Sequence, residues 1–402
     1  MMEAWFMEIA KGIGKLFLNP LIYWFILLML FAGYRRIKRE RMNFGVKVFD
    51  VFSEGKHMWS VSIISGIVIS LIALGAGLVF TYETILLISI VTIILSLSLK
   101  FAMLSASYTI GISYILLLFL PLILENQSYV NPDLFSQTNF TGLILLLGIF
   151  LIVEAFLLSR IKDNDTYPEL TLGNRGVWTG QQHVKKLSLI PFFTLIPTGL
   201  ITPIAPFWPY FSIGGEEFSI LLVPFIIGFD HIIKGSLPRS AAVKLAKSIG
   251  LLGGIVLLLA VGSVYVPSLS VIAVLIAIIG REFINYKLRV KDREKLAYFN
   301  QTDRGLKVLG VIPETPADRL DILVGETIVK VNGQNVNNVN EFYLGLQASG
   351  ASFKLELLDV AGEIRFIQSA LYEGDHHELG ILFTTEPYRQ QLKHYKKETS
   401  NA

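Results

Sequence analysis

The stretch GVIPETPADRLDILVGETIVKVNG, Gly310 to Gly333, decides how the whole chain is read. Its pattern is that of a small water-soluble unit. LKVLGVI and ETIVKVNG read as strands, TPADRLDI opens with Thr315 and Pro316 as a short helix does, and Asn332–Gly333 is a strong hairpin signal. Downstream, VNEFYLGLQ has helical spacing, SFKLELLDV and EIRFIQSAL form a hairpin across Ala361–Gly362, and LGILF reads as a last strand. The reading gives a small α+β domain over 302–386, followed by a polar basic tail at 387–402.

Upstream the composition changes completely. The chain has 402 residues, 52% hydrophobic and only 17% charged, with a mean hydropathy of +0.56, which places it in the membrane class. Apolar runs approaching the ~20 residues a span needs are centred at Phe17–Tyr34, Val61–Phe80, Thr84–Leu99, Tyr108–Leu124, Phe140–Ser159, Leu187–Pro206, Phe218–Ile233, Ser248–Val266 and Ser268–Ile284. The expectation is a multi-pass α-helical membrane domain over 17–284 with nine spans, or eight if the first segment or the Val266–Ser268 hairpin is re-entrant. Residues 1–16 form a lead-in and 285–301 a basic cytoplasmic linker. The lead-in has no small-residue cleavage site after it, so the first span is a retained anchor. Either it lies on the membrane with Trp5, Phe6 and Ile9 down and Lys11 and Lys15 at headgroups, or it simply leads into that span.

Basic residues alternate between loops. Arg35 to Arg41, Lys100, the run 160–186, the stretch 234–247 and the run after Arg281 are basic, whereas the intervening loops carry no lysine or arginine. Because lysine and arginine resist translocation, the carboxy-terminal unit is expected in the cytoplasm.

Several chemistries find no support. There is no cysteine, and the formal charge of +3 gives no nucleic-acid signature. HExxH is absent, His376 and His377 are not one helical turn apart, Ser113 lacks the glycine that should follow it in a rhomboid-type site, and no phosphate-cradling loop occurs. No metal or cofactor is expected, and Asp375 to Glu378 read as a solvated loop. Glu154 near Arg160, and Asp230 with His231 near Lys234, are read as interfacial anchors rather than an ion path, and PFFTLIPTGLITPIAPFWP as a kinked packing helix.

Val311 to Asp318, followed by Val324-Gly325-Glu326-Thr327-Ile328 and Val331-Asn332-Gly333, resembles the core of a PDZ domain. In that family an extended partner segment adds as a strand at a sheet edge, facing a helix. The glycine-containing loop of that family does not precede Gly305; it matches Glu378-Leu379-Gly380-Ile381 instead, which implies a circularly permuted order. The resemblance places peptide binding on Leu379, Gly380 and Ile381, whose amides converge on a carboxylate, and on Val339, Tyr343 and Leu346 along one helical face. The same residues read equally well as core. Over nearly the full length, from RRIKRER through RGVWTGQQHVKKLSLIPFF to EGDHHELGILF, the chain resembles the MinJ-type proteins of bacterial division-site selection. That resemblance implies a non-enzymatic adaptor at the septum and cell poles, linking a DivIVA-like polar protein to the division inhibitor MinD with MinC. A transporter or a membrane-protease-associated PDZ protein is the alternative, and membrane lipid is a partner in every case.

Overall fold

The computed structural model describes residues 2–390 apart from 125–134, 136, 174–175, 206–207, 212–216, 302–303, 349–351 and 371–378. The chain opens with α1 (Met2–Leu16), α2 (Pro20–Phe44), α3 (Trp59–Ala76), α4 (Tyr82–Ser96), α5 (Ala106–Leu124) and α6 (Phe140–Ser159). Local chemistry sets their ends. Asn19 accepts the amide of Leu21 at 2.9 Å with Pro20 in the first turn, Asn139 accepts that of Gly142 at 2.8 Å, and Gly45 closes α2 with φ of 77°. Trp5 and Ile9 of α1 pack on protein, in a cluster with Trp208 and Phe218, while Phe6 stays exposed.

Next come three strands, β1 (Tyr167–Leu172), β2 (Trp178–Ile201) and β3 (Phe218–Ile233), then α7 (Pro238–Ser263) and α8 (Ser268–Arg293). Among the described residues six helices, α2, α3, α5, α6, α7 and α8, are long and apolar enough to cross a membrane, and α4 is shorter. The two expected spans at Leu187–Pro206 and Phe218–Ile233 are corrected: they are not helices but the arms of an antiparallel hairpin pairing Gln182 with Ile233 through Pro197 with Phe218. Packing explains why. The hairpin is enclosed by helices on both faces, with Phe150 of α6 stacked on Phe225 at 3.9 Å and meeting Phe192 at 5.4 Å, so both arms are apolar without alternation.

The prolines confirm the strand assignment. Leu187, Phe193 and Leu195 point their amides away from β3, to Glu54 O (3.0 Å), Ser70 Oγ (2.8 Å) and Leu78 O (3.1 Å). Pro191 shares their parity and pairs with Pro224. Both prolines therefore sit where a strand amide would face away from its partner, which is the position proline tolerates. The part of the run expected to be a kinked helix that lies within β2, 191–201, is thus strand, and Pro191 removes a donor that would need an outside acceptor. Gly66 of α3 lets the helix approach this edge, since a Cβ there would lie 2.1 Å from Pro191 O.

The carboxy-terminal unit contains β4 (Leu306–Val311), α9 (Pro316–Arg319), β5 (Thr327–Val331), β6 (Gln334–Asn335), α10 (Val339–Gln347), β7 (Ser352–Leu358), β8 (Ile364–Ala370) and β9 (Ile381–Phe383). Its sheet runs β8-β7-β5-β4-β9, with β6 pairing β5. Asn332 and Gly333 turn with φ of 52° and 83°, and Gly362 turns the β7–β8 hairpin with φ of 87°. Val308, Ile328, Val331, Phe342, Phe353, Leu355 and Leu357 form the core.

Two charged residues lie elsewhere than expected. Glu154 is fully buried and paired at 2.6 Å with Arg281, also fully buried, so it is an interior link between α6 and α8 rather than an interfacial anchor to Arg160. Arg281 is correspondingly not part of a basic flank; the exposed basic residues of α8 are Lys287, Arg289, Lys291 and Arg293. Asp230 pairs with Lys185 at 3.3 Å at the polar end of the hairpin.

Candidate functional site

The candidate site lies where β9 meets α10. Asn338 caps α10 by accepting the amide of Glu341 at 2.9 Å, while Glu341 Oε2 takes the amide of Asn337 at 2.7 Å, a reciprocal box that fixes the helix start. The other end is held by Asn332, whose side-chain amide donates to Gly345 O at 2.9 Å and whose Oδ1 accepts from Lys354 N at 2.8 Å. One turn residue thus ties α10 to β7.

β9 is reached through Leu379 and Gly380, both left-handed, with φ of 56° and 79°. Their carbonyls are engaged: Leu379 O accepts from Ala317 N at 2.9 Å and Gly380 O from Ile312 N at 2.8 Å. Among the described residues no carbonyl takes up their own amides. A side chain at 380 would meet Thr315 Oγ1 at 2.2 Å, so glycine is needed for both conformation and space. β9 pairs with β4 along one edge, and among the described residues no strand occupies its other edge.

All six residues singled out from the sequence fall in this corner of the unit, in two environments. Leu379, Ile381 and Leu346 are buried in the core with Phe342 and Phe383, and Gly380 forms the turn beside them. Val339 and Tyr343 are half-buried against the same cluster and expose surface on α10. Residues 375–378, with the two adjacent histidines, lie outside the described residues. Among the described residues no three histidine or acidic side chains come together to hold a metal. Ser113 is buried and donates to Thr109 O at 2.6 Å, as a helical serine does when it has no other task.

Sequence reading missed a second feature, the seat of the unit on the membrane body. Asn164 binds it twice, donating to Ile322 O at 2.8 Å and accepting from Val324 N at 3.0 Å. Gln182 donates to Leu309 O at 2.5 Å, and Gly180 N to Phe299 O at 2.7 Å. Apolar contacts flank these bonds: Leu382 of β9 packs with Val48, Phe49 and Tyr167, and Leu309 and Val324 pack with Leu170 and Phe299. Successive β9 residues therefore face opposite ways, Ile381 and Phe383 into their own core and Leu382 onto the membrane body.

Behind the seat is a buried charge cluster. Arg36 bonds Glu54 at 2.9 Å and Glu40 at 2.6 Å, and its guanidinium lies 4.8 Å over the Tyr167 ring. His183 bonds Glu169 and has Asp230 at 4.0 Å. Burial opposes charge on both His183 and Glu169, but it is outweighed: the nearby Asp230 and the hydrogen-bonded Glu169 raise the histidine, and His183, Gln181 and Arg39 hold Glu169 down to about 2.

No family model matches the chain. It is 36% identical over 388 residues to "Cell division topological determinant MinJ" of Bacillus subtilis (strain 168), covering 96% of this chain and 97% of that one. It is also 22% identical over 382 residues to "Probable cell division topological determinant MinJ" of Lacticaseibacillus paracasei, and to the same degree to that of Lacticaseibacillus casei (strain BD-II), covering 92% of this chain and 98% of each. With its apolar helices, its seated sheet unit and this end-to-end identity, the chain belongs to the MinJ family of cell division topological determinants.

Proposed function

We propose that this chain is a non-enzymatic membrane adaptor in division-site selection, whose 302–386 unit is a permuted PDZ domain on the cytoplasmic side. The observation that carries the reading is the edge of β9, left without a strand among the described residues, beside the exposed face of α10 and headed by the amides of Leu379 and Gly380. An extended partner segment adds to that edge through its backbone, so the buried side chains of Leu379, Ile381 and Leu346 shape the groove from behind while Val339 and Tyr343 face the ligand. The partners are a DivIVA-like polar protein and MinD, and the site of action is the septum and the poles. Orientation rests on charge: Arg35 to Arg41, Lys100, Lys185 and Lys234 lie at the end of the body that carries the unit, where Lys185 donates to Leu99 O at 3.0 Å and Tyr298 N to Lys234 O at 2.8 Å.

The test uses full-length protein in growing cells. Val339→Glu with Tyr343→Glu is expected to abolish co-capture of at least one of the two partners while leaving protein level unchanged; full capture of both by this variant refutes the groove. Because the chain has no cysteine, single cysteines at the exposed positions Asn335 and Tyr265 report topology directly. An impermeant maleimide added to intact cells should label the second and not the first.

A further inference from the structure

A cavity of about 720 Å³ opens at the polar end of α2, between that helix, the turn after α4, and the ends of β1, β2 and β3. Its walls carry six lysine and arginine side chains against three carboxylates. Partner accounting divides the cations into two groups. Arg36 is paired with Glu40 at 2.6 Å and Glu54 at 2.9 Å, Arg39 with Glu169 at 3.4 Å and Lys185 with Asp230 at 3.3 Å, so these three belong to the built floor. Arg35, Lys38 and Lys100 are exposed, and among the described residues no carboxylate lies within ion-pair distance of them. Arg35 and Lys38 stand one turn apart on α2, and Lys100 reaches the same cavity from the turn beyond α4. Like charges placed together without counter-ions repel, and an anion seated between them relieves that repulsion.

Depth distinguishes which anion. The apolar run of α2 ends at Tyr34, directly before Arg35, and Phe31, Tyr34 and Leu97 project large exposed apolar side chains next to the cavity. A ligand that fills this place is therefore anionic at one end and apolar at the other. The volume is ample for a phosphate with its glycerol, and basic pockets between membrane helices at the cytoplasmic face take up acidic headgroups.

We propose that this cavity binds the phosphate headgroup of an anionic phospholipid from the same leaflet, with Arg35, Lys38 and Lys100 as its ligands and an acyl chain laid along Phe31, Tyr34 and Leu97. The site is separate from the β9–α10 groove, and its walls include Tyr167, the residue on which Leu382 of the seated unit packs. Lipid identity is thereby read beside the seat of the recognition unit.

The test is retention of phosphatidylglycerol against phosphatidylethanolamine by the purified full-length protein, read by native mass spectrometry from mixed-lipid nanodiscs. The variant Arg35→Gln/Lys38→Gln/Lys100→Gln is compared with Lys244→Gln/Lys247→Gln/Lys291→Gln, which removes the same charge from exposed positions outside the cavity. Loss of three headgroup cations should lower the preference for phosphatidylglycerol by at least about tenfold, with the control triple unchanged. Equal retention by both triples overturns the proposal. So does displacement of the lipid by inorganic phosphate alone, which would make this a free-phosphate site. Native far-ultraviolet circular dichroism of both variants excludes misfolding as the source of a loss.

Discussion

Replacing Glu154 by glutamine tests whether the interior charge pair holds the helices together. Both side chains are completely buried. Arg281 Nη2 donates to Glu154 Oε1 at 2.6 Å, its Nε to Ser105 Oγ at 3.2 Å and its Nη1 to Asn285 Oδ1 at 3.1 Å, while Ser105 Oγ donates to Glu154 Oε2 at 2.6 Å. The network thus joins α6 and α8 to Ser105, the residue that precedes α5. Glu154→Gln leaves an arginine that cannot lose its proton surrounded by neutral acceptors, and breaking a buried pair from one side costs about 3–5 kcal/mol. Removing both charges, as Glu154→Gln/Arg281→Met, eliminates the stranded cation and should recover most of that loss, because a buried pair roughly breaks even against an apolar replacement. Detergent-solubilised protein titrated with sodium dodecyl sulfate and followed by tryptophan fluorescence gives the stabilities of wild type, Glu154→Gln, Arg281→Met and the double variant, and the cycle should show a coupling of at least about 2 kcal/mol. A double variant as unstable as Glu154→Gln alone would refute the reasoning. The same double variant should leave partner capture by the proposed groove unchanged, since no contact of this pair touches Val339 or Tyr343.

Gly380→Ala forces a Cβ against Thr315 at 2.2 Å on a residue with φ of 79°; it should lower stability of the unit by about 1–3 kcal/mol and abolish partner capture, measured by hydrogen exchange of β9 and by pull-down. Asn164→Ala removes both of its bonds to the unit, so it should weaken the seat by about 1–3 kcal/mol and speed proteolysis between the unit and the body without unfolding either. His183→Gln addresses pH. The raised histidine adds stability that is complete below its unfolded value of 6.5 and fades as pH rises through its folded value, while the lowered Glu169 adds stability above 4.5 that fades as pH falls towards about 2. The thermal stability gap between wild type and His183→Gln should therefore be widest between 4.5 and 6.5 and narrow towards alkaline pH; a gap that widens there contradicts the pairing.

The carboxy-terminal unit was legible because a strand such as β7 alternates between core and solvent and its tight turns need particular residues. Asn332–Gly333 and the Thr315–Pro316 helix start are local signals that survive in any tertiary setting. The hairpin β2–β3 was not legible for the opposite reason. Both of its faces are covered by helices, so alternation vanishes, and a buried strand then has the same composition as a membrane helix. Pro191 and Pro224 carried the missing signal, but proline parity has meaning only once the pairing is known. Glu154 was misplaced because Arg160 is near in sequence and Arg281 is near in space. Among the candidate residues, helical spacing put Val339, Tyr343 and Leu346 on one face but did not show that Leu346 is buried while the other two are half-buried, and nothing in the spacing of Leu379 and Ile381 told groove from core. The seat escaped notice because its anchors, Asn164, Gln182 and Leu382, look like ordinary loop and strand residues until two sheets are set side by side.

For the proposed adaptor role, that seat sets how the unit is presented. A recognition domain on a flexible tether samples a large volume, and its partner is recruited only to the neighbourhood of the membrane. Here α8 continues to Arg293, Phe299 is buried between Leu170 and Leu309, and Leu382 locks β9 itself onto the body. The proposed groove strand β9 is the strand whose Leu382 packs with Tyr167, so a segment added to its free edge would be held at one height and one angle over the bilayer. Loosening the seat should therefore leave the affinity of an isolated peptide almost unchanged and yet impair recruitment of a membrane-associated partner, whose own orientation must match. Asn164→Ala separates the two quantities, because its bonds lie at Ile322 and Val324 and not at the groove. Peptide affinity and partner recruitment falling together in that variant would mean that the seat shapes the groove itself rather than aiming it.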